Sequence, residues 1–570
     1  MNYKHYPQRP EKLTKEFVEQ EFAKLKGRID SAERSESPGE WLCLYSDWNA
    51  LTAYFSGEAS RISYAHSQDM TNKHWEEADK YFREVVTPAF EQGSAAMLDA
   101  VLKSRHKKAI GEHFGPYLID QLNTIVEPIA PVNTELRVKT GDLIDQYDKI
   151  VSAGEVKIKG ETVTLARARA MQNDSNADVR KEAWFAYRQW FLDHHDEIAR
   201  LFDGMVKLRD EMGRNLGHKN FIPLGYLSMR RTDYGPEEAK KFRDSVKQYA
   251  VPVLAKLHAE HAAALGTPTL RPWDSGYHPN HTLPIGIAPV ETQLEKAQHV
   301  FDELSPRLAA HFTRMRKEGL IDLENRKGKR AGAFCTSMPD EGRVAIFCNS
   351  TGDEGDVGTL VHEMGHAFQA WESQTIEAVD LQWPTSDGAE IHSMGMEFLA
   401  MPALHWFFKP EEQRKFRQSH LYDVVSLMCY IVTVDEFQHW VYEHPNVTPA
   451  ERDQAWNEIW DKYFPALDFS GYEAFKYARW YAQGHIFQTP FYYIDYAIAQ
   501  TAAMQLGLMD STDHKKALDT YIRLCEIGGT KSILNIFKAA GLRSPFDPTT
   551  MRDLMQYAQK ELAVEEMAEA

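Results

Sequence analysis

Cysteine is scarce in this chain: five residues in 570, scattered at Cys43, Cys335, Cys348, Cys429 and Cys525, with no CxxC pair. An odd, dispersed set excludes a disulfide framework and a cysteine-built structural zinc site, and it fits a reducing compartment. Long apolar runs are missing as well. The longest, VVSLMCYIVTV from Val424 to Val434, falls short of the roughly 20 residues that span a bilayer, and reads as a buried core helix. The opening MNYKHYPQRPEKL has no apolar stretch of the secretory-signal kind. There is no clustered basic stripe, and the formal charge is −18, so nucleic acid is not an expected partner. Internal repeats and low-complexity tracts are absent. These gaps together predict a soluble, cytoplasmic protein with neither a membrane nor a nucleic-acid partner.

What is present is ordinary globular material, 43% hydrophobic and 26% charged, with aromatics at 12%. The length allows more than one core. Apolar residues recur at three- and four-residue intervals over Thr14–Arg34, His74–His106, Ala177–Met212 and Pro236–Ala264, which predicts helices. Two regions break the pattern. The Pro- and Gly-rich stretch from Gly266 to Pro289 reads as an irregular connection. From Ala331 to Asn349, two short β-prone runs flank PDEG, which predicts a hairpin. The fold class expected is mainly α, with one small β-sheet just ahead of the strongest motif.

That motif lies in VGTLVHEMGHAFQAW, where His362, Glu363 and His366 form HExxH. Apolar Val357, Leu360, Val361, Met364, Ala367, Phe368 and Trp371 surround it at helical spacing. One turn apart, His362 and His366 present their imidazoles on one face, as two of three protein ligands of a catalytic zinc ion. Glu363 then stands beside the metal as general base. HExxH by itself arises by chance in about one such chain in ten or twenty, so a third ligand matters. The following SDGAEIHSMGMEFLAMP offers Glu390 and Glu397, two helical turns apart on one face. Glu390 is taken as the ligand. Glu397 is taken as a carboxylate orienting a ligand histidine, against the competing reading of a solvated surface acid. His392 points away from Glu390 and is not expected to ligate.

A tetrahedral intermediate also needs donors. RWYAQGHIFQTPFYYIDYAIAQ supplies His485, Tyr492, Tyr493 and Tyr496. A phenol keeps its proton at neutral pH and is a good donor. On spacing alone, an aromatic core stripe is the stronger reading.

Several ordered pieces resemble the thimet-oligopeptidase/oligoendopeptidase F family of zinc metallopeptidases, in its bacterial oligoendopeptidase and Pz-peptidase-like branch. They are GDVGTLVHEMGHAFQ, AEIHSMGMEFL, GHIFQTPFYYIDYAIA and CEIGGTKSILNIFKAAGL, with WDSGYH from Trp273 as an upstream element. The likeness covers roughly the C-terminal half. It implies a mainly helical, two-lobed ellipsoid with a deep substrate channel, divided here into an N-terminal helical lobe, 1–175, and a catalytic region, 176–570. It implies one Zn2+ held by His362, His366 and Glu390, with Glu363 as base and Tyr496, Tyr493 and His485 serving the transition state. It further implies that an edge strand, read as Ala331–Cys335, binds substrate backbone through Gly332, Ala333 and Phe334, with Tyr492 alongside. The function implied is a zinc-dependent oligoendopeptidase that cuts internal bonds of short unfolded peptides. A peptidyl-dipeptidase of similar helical fold and a non-catalytic peptide-binding protein are the alternatives.

Overall fold

Some helices begin where the sequence supplies a cap. Thr14 accepts a hydrogen bond from the Phe17 N–H and starts the helix Lys15–Arg34. Pro236 opens Pro236–Ala264 with Glu237 and Glu238 in its first turn, and Glu238 reaches back to the Gly235 N–H. The stretch expected as one helix over Ala177–Met212 is two, Ala177–Asp193 and His195–Asn215. His194 leaves helical geometry between them, its imidazole bonded to the Trp190 carbonyl. Farther on, the apolar run Val424–Val434 lies inside the long helix Pro410–Glu443, with nearly all of its residues buried.

The computed structural model describes residues 12–281, 289–352 and 354–563. Residues 1–11, read above for a secretory signal, and residues 282–288 of the Pro- and Gly-rich connection lie outside the described residues. The chain divides into two compact units, each drawn from separated stretches. The first comprises 1–126, 284–410 and 502–542; the second comprises 127–283, 411–501 and 543–570. In the first unit, Trp41, Leu44, Tyr45, Trp48 and Leu51 of the helix Gly39–Gln68 meet Phe82, Phe90, Leu118 and Leu122 in one apolar core, joined by Ala378 and Leu381. In the second unit, Phe437, Trp456, Trp480, Phe202 and Phe487 pack ring against ring.

The fold is mainly helical, but it holds two small sheets where one was expected. The additional sheet is the hairpin of β1 (Glu155–Ile158) and β2 (Glu161–Thr164), in the second unit. Its turn is Lys159–Gly160, both at positive φ, the twist that a two-residue hairpin turn demands. The other sheet lies in the first unit and has strand order β3 (Ile321–Glu324), β5 (Arg343–Ser350), β4 (Phe334–Met338). β4 and β5 form the expected hairpin, with Met338 opposite Arg343 across the PDEG turn. β3 was not foreseen; it pairs parallel to β5. The PDEG turn is anchored by Asp340, which is buried and accepts a hydrogen bond from Arg61 on the helix Gly39–Gln68.

The edge strand begins later than expected. Ala331, Gly332 and Ala333 precede β4 and are exposed; only Phe334 and Cys335 of that segment are in the strand. The reason is a contact from farther along the chain. The Asn349 side-chain amide donates to the carbonyls of both Arg330 and Gly332, each at 2.8 Å, and Gly332 takes φ +98°, outside the β region. Among the described residues, no strand pairs with the outer edge of β4.

Candidate metal centre

The HExxH helix, Glu354–Glu372, follows β5 with almost no slack. Asp356 in its first turn accepts hydrogen bonds from the Ser350 hydroxyl and from the N–H groups of Thr351 and Gly352, fixing the strand-to-helix corner. All seven apolar positions that predicted this helix are buried. Its partner is the helix Ser386–Ala400, which carries Glu390 and Glu397. The two approach closely at Gly365, where an added Cβ would lie 2.5 Å from the His392 carbonyl oxygen. Only glycine leaves room for that contact.

This approach brings three ligand atoms together. Glu390 Oε2 lies 3.6 Å from His362 Nε2 and 3.7 Å from His366 Nε2. All three ligand atoms fall within 4.8 Å of one another, and theirs is the one such group among the described residues. A tetrahedral zinc site with bonds of about 2.0–2.1 Å places its ligand atoms about 3.4 Å apart. Two imidazoles and one carboxylate at this spacing fit such an ion and leave a fourth position open. His392 is outside the group; its ring is fully buried, with Nδ1 toward the Ala389 carbonyl.

The surroundings differ for the two histidines. His362 Nδ1 lies 2.6 Å from Glu397 Oε1. His366 Nδ1 is buried without a hydrogen-bond partner, and its ring lies 5.9 Å from that of Trp383. In the metal-free chain, burial pulls the His362 pKa down, but the hydrogen bond and charge of Glu397, with Glu390 and Glu363, push it up to about 9. Burial holds His366 well below the ordinary imidazole range. Glu363 is buried with Oε2 unpartnered, and burial, reinforced by Glu390 and Glu397 against the pull of His362, raises it to about 7. A carboxylate that is buried, unpaired and poised near neutrality has the makings of a proton acceptor.

The second unit holds the remaining histidine and the tyrosines singled out, His485, Tyr492, Tyr493 and Tyr496. His485 stands 5.6 Å from the ring of Tyr492, 4.9 Å from that of Tyr493 and 6.3 Å from that of Tyr496. The Tyr492 hydroxyl donates to that of Tyr496 at 3.0 Å. Gln483 bonds His485 Nδ1 at 2.7 Å. Burial lowers the His485 pKa and raises that of Tyr493. The four residues therefore form one cluster around a kink at Phe491, a non-glycine residue at φ +67°. Its N–H donates to Gln438 and its carbonyl accepts from Arg231, which is paired with Asp495. WDSGYH proves to be framework of the same unit: Trp273 packs against Trp184 and Phe185, and Asp274 pairs with Arg180.

Gly365 and Trp383 escaped the sequence reading. Gly365 sits within HExxH as one of the unspecified positions, and Trp383 lies in a loop with no periodicity to mark it. The partner helix was signalled by apolar Ile391, Met394, Phe398 and Leu399, by the spacing of Glu390 from Glu397, and by the AEIHSMGMEFL element of the resemblance.

The sequence pattern described as "Peptidase family M3" matches residues 170–555, and that of "Peptidase M3 N-terminal domain" matches residues 9–127. Oligopeptidase PepF of Bacillus subtilis is 23% identical over 381 residues, 64% of this chain and 54% of that protein. The oligoendopeptidase F homolog of Borreliella burgdorferi is 22% identical over 388 residues, 65% of this chain and 62% of that protein. The chain thus matches only about half to three fifths of these two relatives' lengths. Among solved structures, Pz peptidase A with inhibitor 2 superposes with a TM-score of 0.88 at 32% identity, covering 98% of this chain and 99% of that one. On its fold and on a family match that takes in both the HExxH helix and the glutamate helix, this chain belongs to peptidase family M3.

Proposed function

We propose that this chain is a zinc-dependent oligoendopeptidase that hydrolyses internal bonds of short, unfolded peptides in the cytoplasm. The observation that carries the reading is the convergence of His362, His366 and Glu390, with the unpaired carboxylate of Glu363 on the same helix. His362, His366 and Glu390 would hold one ion. When bound, zinc supplies Lewis acidity and acidifies a water molecule to a pKa of about 7.

The chain's own residues do the rest. Glu363 accepts a proton from the attacking water, whose oxygen bonds to the scissile carbonyl carbon. As the C–N bond breaks, Glu363 returns that proton to the leaving nitrogen. Glu397 keeps the His362 ring oriented through Nδ1. Tyr496, with Tyr493 and His485, is the proposed donor to the developing oxyanion; its support is the phenol's chemistry and the hydrogen-bonded cluster that Tyr496 shares with Tyr492. The unpaired outer edge of β4 is the proposed rail for substrate backbone, with Gly332, Ala333 and Phe334 at its start and Tyr492 alongside the substrate.

The test is a blocked, internally quenched peptide of about ten residues, with and without a chelator, and fragments identified by mass. Internal cleavage that the chelator abolishes supports the reading. Dipeptide release only from unblocked C-termini would favour a peptidyl-dipeptidase. In Glu363→Gln, zinc content and peptide binding should persist while turnover is nearly lost. A wild-type protein that binds peptide yet never turns it over would be a binding protein instead.

A further inference from the structure

The element CEIGGTKSILNIFKAAGL takes no part in the proposed chemistry, yet its paired glycines, Gly528 and Gly529, have a definite neighbour. Gly528 sits at φ +50°, and a Cβ there would lie 2.9 Å from the Gln382 carbonyl oxygen. At Gly529 a Cβ would lie 2.5 Å from the Trp383 carbonyl oxygen and 3.2 Å from that of Leu381. The Gly529 N–H donates to the same Leu381 carbonyl at 2.8 Å. From the HExxH helix, Gln369 donates its side-chain amide to the Gln382 carbonyl, also at 2.8 Å. Leu381 is itself part of the apolar core of this unit. The backbone from Leu381 to Trp383 is therefore held by the glycine turn and by the helix that carries His366.

The side chain placed by this scaffold is not a core residue. Trp383 is 38% exposed, whereas Leu381, two residues before it, is fully buried. Its ring is tilted by 33° against that of His366 at 5.9 Å. A large apolar side chain on a surface is ordinary by itself. Here its backbone is fixed through two glycines that admit no side chain, and its ring lies beside a proposed metal ligand. Packing within the unit does not account for the exposed face. An indole offers a broad, flat contact area at small entropic cost, which suits recognition of another apolar group.

We infer that Trp383 is the wall of a subsite for an apolar side chain, aromatic or branched aliphatic, on a residue flanking the scissile bond, and that the Gly528–Gly529 turn exists to hold it there. The inference rests on the peptidase reading above. Recognition is through the indole face, so Trp383 determines specificity and takes no part in proton transfer.

Two measurements test it. Zinc-loaded wild type and Trp383→Ala, matched for metal content, are given blocked peptides that differ only in Phe or Gly at each residue flanking the cleaved bond. Separately, the same peptides are titrated calorimetrically into Glu363→Gln with and without the Trp383→Ala change. At one flanking position the Phe-to-Gly ratio of kcat/KM should fall about tenfold or more, and the ratio of Kd values should shift the same way. Trp383→Phe should keep most of the preference. Gly529→Val, which pushes on the Trp383 carbonyl, should erode it. Should Trp383→Ala be unstable, Trp383→Gln reads the same ratios. Ratios unchanged at both positions, or equal losses on the Phe and Gly peptides, overturn the inference. A zinc-loaded wild type that cleaves none of the peptides sinks the peptidase reading instead, and the calorimetric ratio then decides the subsite alone.

Discussion

Gly365 lies against the backbone of His392, so that a Cβ on it would fall 2.5 Å from the His392 carbonyl oxygen and 2.6 Å from Ser393 Cα. The Gly365 carbonyl, in turn, accepts a hydrogen bond from the buried Tyr521 hydroxyl. This contact sets the separation of the HExxH helix from the helix bearing Glu390. Neither obstructing atom belongs to a flexible side chain, so the helices themselves must give way. Gly365→Ala is therefore expected to weaken zinc binding by about tenfold or more and to lower Tm, in line with overpacking costs of about 1–3 kcal/mol. Competition with a chromophoric chelator measures the first and a thermal melt the second. Wild-type zinc affinity in this variant would refute the argument.

In the proposed mechanism Glu397 acts on zinc through His362. Removing the carboxylate leaves Nδ1 of that ring without its partner at 2.6 Å. Glu397→Ala should cost about 10–100-fold in metal affinity, the usual effect of losing such an orienting group. Glu397→Gln should cost less, because its amide oxygen can still accept the Nδ1 proton. The same chelator competition ranks the three proteins, and equal affinities would return Glu397 to the surface-acid reading.

Tyr496 and Tyr492 share one hydrogen bond, with Tyr492 as donor. Tyr496 is the proposed donor, and the Tyr492 hydroxyl supports it through that bond. Tyr496→Phe should lower kcat by roughly 10²–10³ with little change in KM, and Tyr492→Phe should do markedly less. Steady-state kinetics on one quenched peptide separates them. An unchanged kcat in Tyr496→Phe would make the tyrosines an aromatic core stripe.

Acid should destabilise the second unit through its histidines. Burial pushes His258 down to about 3, His278 to about 3 and His281 to about 4. Each binds a proton in the unfolded chain near the ordinary imidazole value of about 6.5, but not yet in the folded one. The unfolded state then holds more protons between that value and the folded pKa. Stability is accordingly full above about pH 6.5 and declines as pH falls toward 4. His258 stacks on Phe464 with ring centroids 6.3 Å apart, so His258→Phe removes one titrating group while keeping a ring. Urea midpoints from pH 7 to pH 4 should fall less steeply in that variant; parallel slopes would show that His258 does not contribute.

The chain's legibility followed periodicity. His362 and His366 are one turn apart, and Glu390 and Glu397 are two, so a single helical repeat put each pair on one face before any contact was known, without deciding between the two glutamates. The PDEG turn marked the β4–β5 hairpin because turn chemistry is local. The same logic failed at Ala331–Ala333, where β-prone residues are drawn out of the strand by Asn349, nearly twenty residues away in sequence. It failed at β3, whose parallel pairing with β5 depends on where the intervening chain returns. It also passed over the β1–β2 hairpin, too short for its alternation to stand out.

The sequence by itself determined the helical class, the two histidines and Glu363 on one helix, the paired glutamates on another, and the family they resemble. These depend on repeats of three or four residues, which a linear chain displays. Only the tertiary structure decided that Glu390 meets both histidines, that Gly365 sets the helix separation, and that a glycine turn more than 140 residues beyond Trp383 holds that ring beside His366. Such contacts join backbone segments distant in sequence, and steric exclusion between them leaves no periodic trace for a sequence to show.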